Sequence, residues 1–304
     1  MLNVLVLGAG AVGAFYGYHL SEAGARVSVV CRSTFDDVKK KGFCIQSDGK
    51  KISFQPDGVY QFGEVIDDLF DVVLVTTKAV SDVNLVSCLR QVPMQAKATI
   101  VLMQNGIDIE TEVVNSFSDY SVLSGISFVC LERQQDGGID HRGFGKVVLS
   151  PFLKSYGCAT RLVELFSSQG ILCEMDDDVR FQRWRKLVWN VPFNALAVLA
   201  GNQSTLFLLN DAAYCRQIRA VMAEVILIAN EDGCCFDADI IDQLIINTRK
   251  MGDYYPSMVW DAKQGRTMEI DAILGAVLVY ADRYDLSVPL IRQLYQDLSC
   301  FKLS

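Results

Sequence analysis

Apolar and polar positions follow two patterns along the chain, and the first alternates between strand-like and helix-like segments. The strand-like segments are short runs rich in β-branched and aliphatic residues, as is typical of strands buried in a parallel sheet. They lie at 3–7, 27–31, 72–76, 99–103, 125–130, 146–150 and 171–174. Segment 42–54 alternates around a Ser-Asp-Gly-Lys turn and predicts a hairpin inserted in a crossover. Together these features predict a doubly wound α/β sheet of the Rossmann type.

The second pattern begins after the acidic stretch 176–178, where apolar residues recur at helical spacing and strand signals become sparse. The helical segments are 179–200, 212–232, 238–251 and 267–284. A chain of 304 residues also exceeds the length of about 100–200 residues that one domain usually has. We therefore predict an α/β Rossmann domain over 1–176 and an all-α C-terminal domain over 177–304.

Net charge and hydropathy exclude some kinds of binding partner and of cellular location. The formal net charge of −8 argues against nucleic acid or an anionic membrane surface as a main partner. No apolar run approaches the roughly 18 residues that a membrane span needs. The opening MLNVLVLGAG lacks a basic leader and a small-residue cleavage site, so we interpret it as a first strand and expect a cytoplasmic location. The helical domain is compatible with a homodimer, although nothing in the sequence requires one.

Cysteine and histidine usage bears on metal and redox chemistry. The ten cysteines are scattered without a CxxC pair, and we expect reduced, mostly buried thiols. The two histidines, His19 and His141, have no second plausible ligand nearby, so we predict no metal site. His19 lies within the first predicted helix and His141 in the turn-rich stretch 138–145. For both, a structural role is favoured over a catalytic one.

A glycine-rich turn follows the first strand and opens the first helix. Gly8, Gly10 and Gly13 form a GxGxxG motif, with Ala11 and Val12 completing its helical side. In this context the first glycine permits a tight turn, the second lets the backbone approach a pyrophosphate, and the third lets helix pack on strand. The helix N-terminus adds free N–H groups and a favourable dipole. We predict that these five residues bind a nicotinamide dinucleotide, with an ordinary glycine-rich turn as the alternative.

The residue after the second strand bears on the choice of cofactor. NAD-specific versions of this motif place an acid there for the ribose hydroxyls, whereas this chain has Arg32. A guanidinium suits a 2′-phosphate, and Lys78, after strand 72–76, is a candidate second cation. Asp36 and Asp37 come too late to be the ribose acid. NADP(H) is therefore favoured over NAD(H), although either cation could be a solvated surface residue.

One predicted helix carries a polar stripe among large apolar residues. Lys186, Asn190 and Asn194 recur every four residues, so a helix places them on one face. Burying these groups without partners would be costly, which favours a polar cleft over a solvated stripe. Pro192 removes one hydrogen bond of this helix. The tyrosine–lysine dyad of short-chain dehydrogenases is excluded, because no Tyr-x-x-x-Lys sequence occurs.

Three further polar residues fit such a cleft. Asn105 follows strand 99–103, at the carboxyl edge of the sheet where Rossmann ligands bind. Ser257 and Glu269 flank a helix start in the second domain. Glu269 could instead be a first-turn helix acid that the dipole favours.

With these motifs the chain resembles the ketopantoate reductases (2-dehydropantoate 2-reductases) of the 6-phosphogluconate dehydrogenase-like superfamily. The resemblance covers essentially the whole length. Its elements are the GAGAVG turn, Lys78, Asn105-Gly106, the His141 turn, the Lys186-x3-Asn190-x3-Asn194 helix, Ser257 and Glu269-Ile270-Asp271. Many families share the glycine motif alone, whereas the helix combined with the downstream serine and Glu-Ile-Asp is much more specific.

The resemblance implies an NADPH-dependent reduction of ketopantoate to pantoate, a step of pantothenate biosynthesis. Lys186 would be the general acid that protonates the developing alkoxide, and Glu269 would pair with Lys186 or hold a substrate hydroxyl. The groups that would position the substrate by hydrogen bonds are Asn105, Asn190, Asn194 and Ser257. Arg32 and Lys78 would lie on the cofactor side with Asn105 and Glu269, and Lys78 could face both cofactor and substrate.

Two alternatives to this function stay open at the level of sequence. One is a reductase of the same family that acts on a different small 2-keto acid or ketone. The other is a non-catalytic protein that senses NADP(H). A buried lysine–glutamate pair has no use in a sensor, so it counts against the second alternative.

Overall fold

The chain forms two compact units in the computed structural model, which describes residues 1–80, 82–134, 136–152 and 156–301. The first unit comprises Met1–Gln104 and Asp108–Val179, and the second comprises Asn105–Ile107 and Arg180–Ser304. The second unit therefore includes a short segment from the first half of the chain. The sequence-based division into 1–176 and 177–304 contains no such segment.

The first unit is built on one sheet, which has ten strands within the described residues. The strands are β1 (Asn3–Leu7), β2 (Arg26–Cys31), β3 (Phe43–Ser47), β4 (Lys50–Phe54), β5 (Gly58–Gln61), β6 (Phe70–Val75), β7 (Met94–Leu102), β8 (Ser121–Arg133), β9 (Ile139–Pro151) and β10 (Cys173–Met175). Their order is β4-β3-β9-β8-β7-β6-β1-β2-β5, and β10 pairs with β9. Neighbouring strands from β5 to β8 in this order are parallel, whereas β9 is antiparallel to β8.

Helices cover both faces of this sheet, as strand β1 shows. Val4 and Val6 belong to one apolar cluster, whereas Leu5 and Leu7 belong to another, because successive side chains of a strand point to opposite faces. The helices of this unit are α1 (Ala11–Glu22), α2 (Phe35–Lys41), α3 (Leu85–Leu89), α4 (Ile109–Ser116) and α5 (Ala159–Ser168). A sheet buried on both faces explains the continuous apolar runs, and the predicted Rossmann fold is confirmed.

The predicted hairpin in segment 42–54 is confirmed, because β3 and β4 pair antiparallel around the turn. The turn-rich interpretation of 138–145 is wrong, since β9 runs through this stretch and His141 lies inside it. Gly143 and Gly145 have φ of 153° and 131°. The pairing of β8 with β9 shifts register opposite them, so a bulged strand accommodates the glycines without ending.

The second unit is built from helices and their connecting turns, with no strand among its described residues. Its helices are α6 (Val179–Leu199), α7 (Thr205–Asn210), α8 (Ala212–Glu231), α9 (Ile240–Lys250), α10 (Ser257–Lys263), α11 (Ala276–Arg283) and α12 (Pro289–Ser299), and a π-helical segment, Asp271–Gly275, precedes α11. The predicted helices at α6, α8 and α9 are confirmed, and the last predicted helix begins at Ile270 instead of 267. None of the described helices is long and apolar enough to span a lipid bilayer.

The ten cysteines form no disulfide, and all of them lie within the described residues. Four are buried, three are partly buried and three are exposed, so the expectation that most are buried is wrong. The exposed thiols are Cys44, Cys235 and Cys300.

A buried carboxylate, that of Asp232, ties together three helices of the second unit. Its Oδ1 accepts hydrogen bonds from Arg180 and from the Tyr284 hydroxyl, each at 2.7 Å. Its Oδ2 accepts from the indole Nε1 of Trp184, also at 2.7 Å. Trp184 and Arg180 lie on α6, and Tyr284 directly follows α11. Asp232 itself ends α8, so its side chain holds α6 and α11 against that end.

We predict that Asp232→Asn lowers the free energy of unfolding of the second unit by about 2–3 kcal/mol, because a neutral amide replaces a buried carboxylate that accepts from three donors, one of them the buried indole of Trp184. Tryptophan fluorescence during urea unfolding measures this unit selectively, since all three tryptophans lie in it. The exposed Asp253→Asn is the matched control, with an expected change within about 0.5 kcal/mol. Equal unfolding midpoints for the two variants would contradict the prediction.

Candidate active site

The glycine turn after β1 shows three different local environments. Gly8 has φ of +95°, and a Cβ there would lie 2.5 Å from Thr77 Cγ2. A Cβ on Gly13 would lie 2.4 Å from Thr76 Oγ1 and 2.7 Å from Val6 Cγ1. A Cβ on Gly10 would meet no atom within 4 Å. Gly8 and Gly13 are therefore required by conformation and packing, whereas the space beside Gly10 is open.

This turn has the features that a pyrophosphate site needs. Helix α1 begins at Ala11, and no side chain caps its first N–H groups. Its first turn carries no acidic residue that would repel an anion. Orphan N–H groups at a helix N-terminus bind phosphate oxygens, and the open space at Gly10 admits them. Ala11 and Val12, at the start of α1, contribute backbone to this cradle.

Two cations of the first unit follow β2 and β6, the strands on either side of β1. Arg32 directly follows β2 and forms an ion pair with Asp82 at 3.3 Å. Their side chains are 70% and 50% exposed, so this pair contributes little to stability. The guanidinium can therefore exchange Asp82 for a phosphate at low cost. Lys78 follows β6 and is half-buried.

The predicted polar stripe lies on α6 of the second unit. Lys186 is half-buried, and its helical neighbours Leu187 and Val188 belong to the apolar core. Burial is the main factor that lowers the pKa of Lys186 to about 7 from its usual value of 10.5. The charge of Arg183, one turn earlier, lowers this pKa further, whereas the charge of Glu269 raises it.

Asn105 and Glu269 meet within the second unit. Asn105 Nδ2 donates a hydrogen bond to Glu269 Oε2 at 3.1 Å. Glu269 is 7% exposed and directly precedes the helical turn that leads into α11. The short segment 105–107 brings Asn105 into this unit. The charge of Glu269 raises the pKa of Lys186. The hydrogen bond from Asn105 therefore holds in place a carboxylate that affects the protonation of this lysine.

The two asparagines of the stripe differ in their surroundings. The Asn194 side chain is engaged within the protein: its Nδ2 donates to Asn190 O at 3.0 Å and its Oδ1 accepts from Met258 N at 3.2 Å. Asn194 thereby holds the start of α10, where Ser257 is the first residue. The amide of Asn190 and the hydroxyl of Ser257 have no hydrogen bond to any other described residue. They are therefore free to bind a ligand.

The predicted site residues thus fall into two groups. Gly8, Gly10, Ala11, Val12, Gly13, Arg32 and Lys78 lie in the first unit, and Asn105, Lys186, Asn190, Asn194, Ser257 and Glu269 lie in the second. Arg183 was missed by the sequence analysis, although its spacing of three residues from Lys186 places both on neighbouring turns of α6. Asp261, within α10, accepts hydrogen bonds from the Arg266 guanidinium at 3.1 and 3.2 Å.

Sequence profiles of one family match both parts of the chain. The profile described as ketopantoate reductase PanE/ApbA matches residues 4–154, and the profile of the ketopantoate reductase PanE/ApbA C terminal matches 178–300. A 2-dehydropantoate 2-reductase from Nostoc sp. is 29% identical over 300 residues, which cover 96% of this chain and 93% of that protein.

Solved structures agree with these profiles. The crystal structure of 2-dehydropantoate 2-reductase from Methylococcus capsulatus is 34% identical, with a TM-score of 0.86 and coverage of 98% of this chain and 96% of that one. A ternary structure of D-mandelate dehydrogenase with NADH and anilino(oxo)acetate also has a TM-score of 0.86, over 97% of this chain and 96% of that one. At 20% identity this second likeness concerns the fold alone.

We predict that Gly13→Ala lowers the stability of the fold, whereas Gly10→Ala weakens dinucleotide binding. Gly13→Ala should lower stability by about 1–3 kcal/mol, because its Cβ overlaps Thr76 and Val6. Gly10→Ala should leave stability within about 0.5 kcal/mol but weaken NADPH binding about tenfold, since its methyl group occupies the phosphate space. Thermal unfolding and fluorescence titration measure the two effects. Unchanged NADPH affinity in Gly10→Ala would show that the pyrophosphate does not approach this residue.

Proposed function

The chain belongs to the ketopantoate reductase (PanE/ApbA) family, and we propose that it reduces ketopantoate to pantoate with NADPH, as a step of pantothenate biosynthesis. As a member of this family it is an oxidoreductase that depends on a nicotinamide cofactor. The observation that carries the proposal is Lys186, a half-buried lysine whose pKa is lowered to about 7, beside a glutamate held by Asn105.

The cofactor would be held by residues of the first unit. The glycine turn suits its pyrophosphate, and Arg32, with Lys78 as a second cation, suits a 2′-phosphate. Bound NADPH supplies a hydride to the C2 carbonyl carbon of the substrate. The fold alone does not select NADPH, since a D-mandelate dehydrogenase of this fold is described with NADH. The preference proposed here rests on Arg32, which stands where NAD-binding versions carry an acid.

Lys186 would supply the proton that the reduction consumes. As hydride reaches C2, the carbonyl oxygen gains negative charge and takes a proton from the Lys186 ammonium. The lysine is left neutral and recovers its proton from solvent. A general acid works best when its pKa lies near the working pH, and such transfer is worth about 10²–10⁴ in rate. A lysine with a pKa near 10.5 would be a weaker acid for this step.

The remaining polar groups would orient the substrate. Asn190 lies one turn after Lys186, and its amide has no hydrogen bond to another described residue. Ser257 has the same property at the start of α10. An amide and a hydroxyl are suited to the carboxylate and terminal hydroxyl of ketopantoate. Asn194 would act indirectly, because its amide holds α10 in place, and Asn105 and Glu269 would contact cofactor or substrate beside Lys186.

Initial rates of NADPH oxidation test this function. Ketopantoate is compared with a panel of other small 2-keto acids and ketones, each with NADPH and with NADH. Turnover of ketopantoate with a clear preference for NADPH is the expected result. Turnover of another panel member instead would keep the mechanism and change the substrate. Tight NADPH binding without turnover of any member would overturn the proposal in favour of a sensor.

We predict that Lys186→Ala lowers kcat at least about 10²-fold while the NADPH dissociation constant stays within about twofold. The control is Lys250→Ala, which removes an exposed lysine at the end of α9. Comparable losses of turnover and of cofactor affinity would indicate that Lys186 is structural.

The pH dependence of reduction follows from the same group. Proton donation requires the protonated form of Lys186, and the fraction of this form falls as pH rises through a pKa of about 7. We therefore expect kcat/KM for reduction to fall above pH 7, and the reverse oxidation to gain activity over the same range. A reduction rate that stays constant up to pH 9 would exclude Lys186 as the proton donor.

We predict that Arg32→Asp shifts the cofactor preference towards NADH by at least about tenfold in the ratio of kcat/KM values, because a carboxylate repels a 2′-phosphate and suits a ribose 2′-hydroxyl. The control is Arg26→Asp, at an exposed position at the other end of β2. An unchanged NADPH/NADH ratio in Arg32→Asp would remove Arg32 from the phosphate site.

A further inference from the structure

Gln104 is a buried polar residue to which the proposed mechanism assigns no role. It lies two residues after the end of β7 and is 6% exposed. Its Nε2 donates a hydrogen bond to Thr77 Oγ1 at 3.1 Å. The preceding residue, Met103, donates its backbone N–H to Val75 O at 2.9 Å. These two bonds fasten the end of β7 to the end of β6.

Thr77 packs against the glycine turn. Its backbone nitrogen and Cγ2 lie 2.7 and 2.5 Å from the position that a Cβ on Gly8 would take. The neighbouring Thr76 donates its hydroxyl to Gly8 O at 2.7 Å. Gln104 is therefore bonded to a residue that supports the turn proposed to hold the pyrophosphate.

The side chain of the next residue, Asn105, is bonded within the second unit. Asn105 belongs to the second unit, and its amide Nδ2 donates a hydrogen bond to Glu269. The chain passes from one unit to the other at the peptide bond between Gln104 and Asn105. Since consecutive Cα atoms are fixed at about 3.8 Å, the anchoring of Gln104 limits where the Asn105 backbone can lie.

We propose that the Thr77–Gln104 hydrogen bond is a positioning contact, which fixes the chain just before Asn105 and so sets where the Asn105 amide meets Glu269. The proposal rests on the proposed function. Gln104 and Thr77 act through Asn105 and Glu269, so they are positioning residues.

The proposal has a measurable electrostatic consequence. The Glu269 charge raises the pKa of Lys186, against the lowering by burial and Arg183. Loss of the Thr77–Gln104 bond would loosen the hold of Asn105 on Glu269 and weaken this effect. The pKa of Lys186 should then fall below its value of about 7. The alkaline limb of the reduction rate should move to lower pH by the same amount.

Paired variants test the bond from both ends. Gln104→Leu removes the amide, Thr77→Val removes the hydroxyl with little change of shape, and Thr77→Ser keeps the hydroxyl. We expect each of the first two to lower kcat about tenfold, with a smaller change in substrate KM. Thr77→Ser should retain most of the activity. The double variant should lower kcat no more than the more severe single variant does, because both substitutions remove the same hydrogen bond.

The control is Gln46→Leu, the same substitution at an exposed position on β3. Additive losses in the double variant, or unchanged kcat in both single variants, would overturn the proposal. Circular dichroism and melting temperature establish that each variant folds. If Gln104→Leu does not fold, Thr77→Val tests the same bond.

A measurement that needs no turnover separates this proposal from the proposed function. The rate at which a small reagent acetylates Lys186 is followed against pH by peptide mass spectrometry. Gln104→Leu and Thr77→Val should move the midpoint to lower pH, and Gln46→Leu should leave it unchanged. Identical midpoints in all variants would overturn the positioning role even if ketopantoate is reduced. A wild type that reduces no 2-keto acid overturns the proposed function whatever the midpoints.

Discussion

A lysine ammonium that lies half-buried against apolar helices is the constraint on which the proposed chemistry depends. Burial lowers the pKa of Lys186 to about 7 in the folded chain, against 10.5 for an ordinary lysine. Between these two pH values the unfolded chain binds the proton more tightly, so stability rises as pH rises across that window. At neutral pH the burial of Lys186 therefore lowers the free energy of unfolding. The same shift brings the lysine close to the pKa of an efficient proton donor.

The surrounding contacts explain how the second unit tolerates such a group. The buried carboxylate of Asp232 joins α6 to α8 and to the end of α11 by accepting three hydrogen bonds, which fixes the helix that carries Lys186. Asn194 on the same helix holds the start of α10, and with it Ser257. Asn105 holds Glu269, whose charge moderates the lowering of the lysine pKa. Rigid helices thus set both the position and the acidity of the proposed proton donor.

Much of this arrangement could be predicted from local sequence, and its long-range contacts could not. The apolar runs predicted the Rossmann sheet because both sheet faces are buried, and a period of four placed Lys186 with its asparagines on one helix face. The pairing of Asn105 with Glu269 joins residues 164 positions apart and depends on how the chain crosses between units. Helix α10, only seven residues long, is too short for periodicity to indicate. The glycines of β9 favoured a turn locally, and pairing with β8 overrode that preference.

The most direct test of the central claim is the protonation of Lys186 itself. Titration of the 304-residue chain by NMR, with 13Cε-labelled lysine and Lys186→Met to assign the resonance, gives the pKa of this one group. We expect a midpoint near pH 7 for Lys186. A Lys186 resonance that titrates near the ordinary lysine value of 10.5 would contradict the proposed role, because such a lysine is neither buried enough nor acidic enough for it.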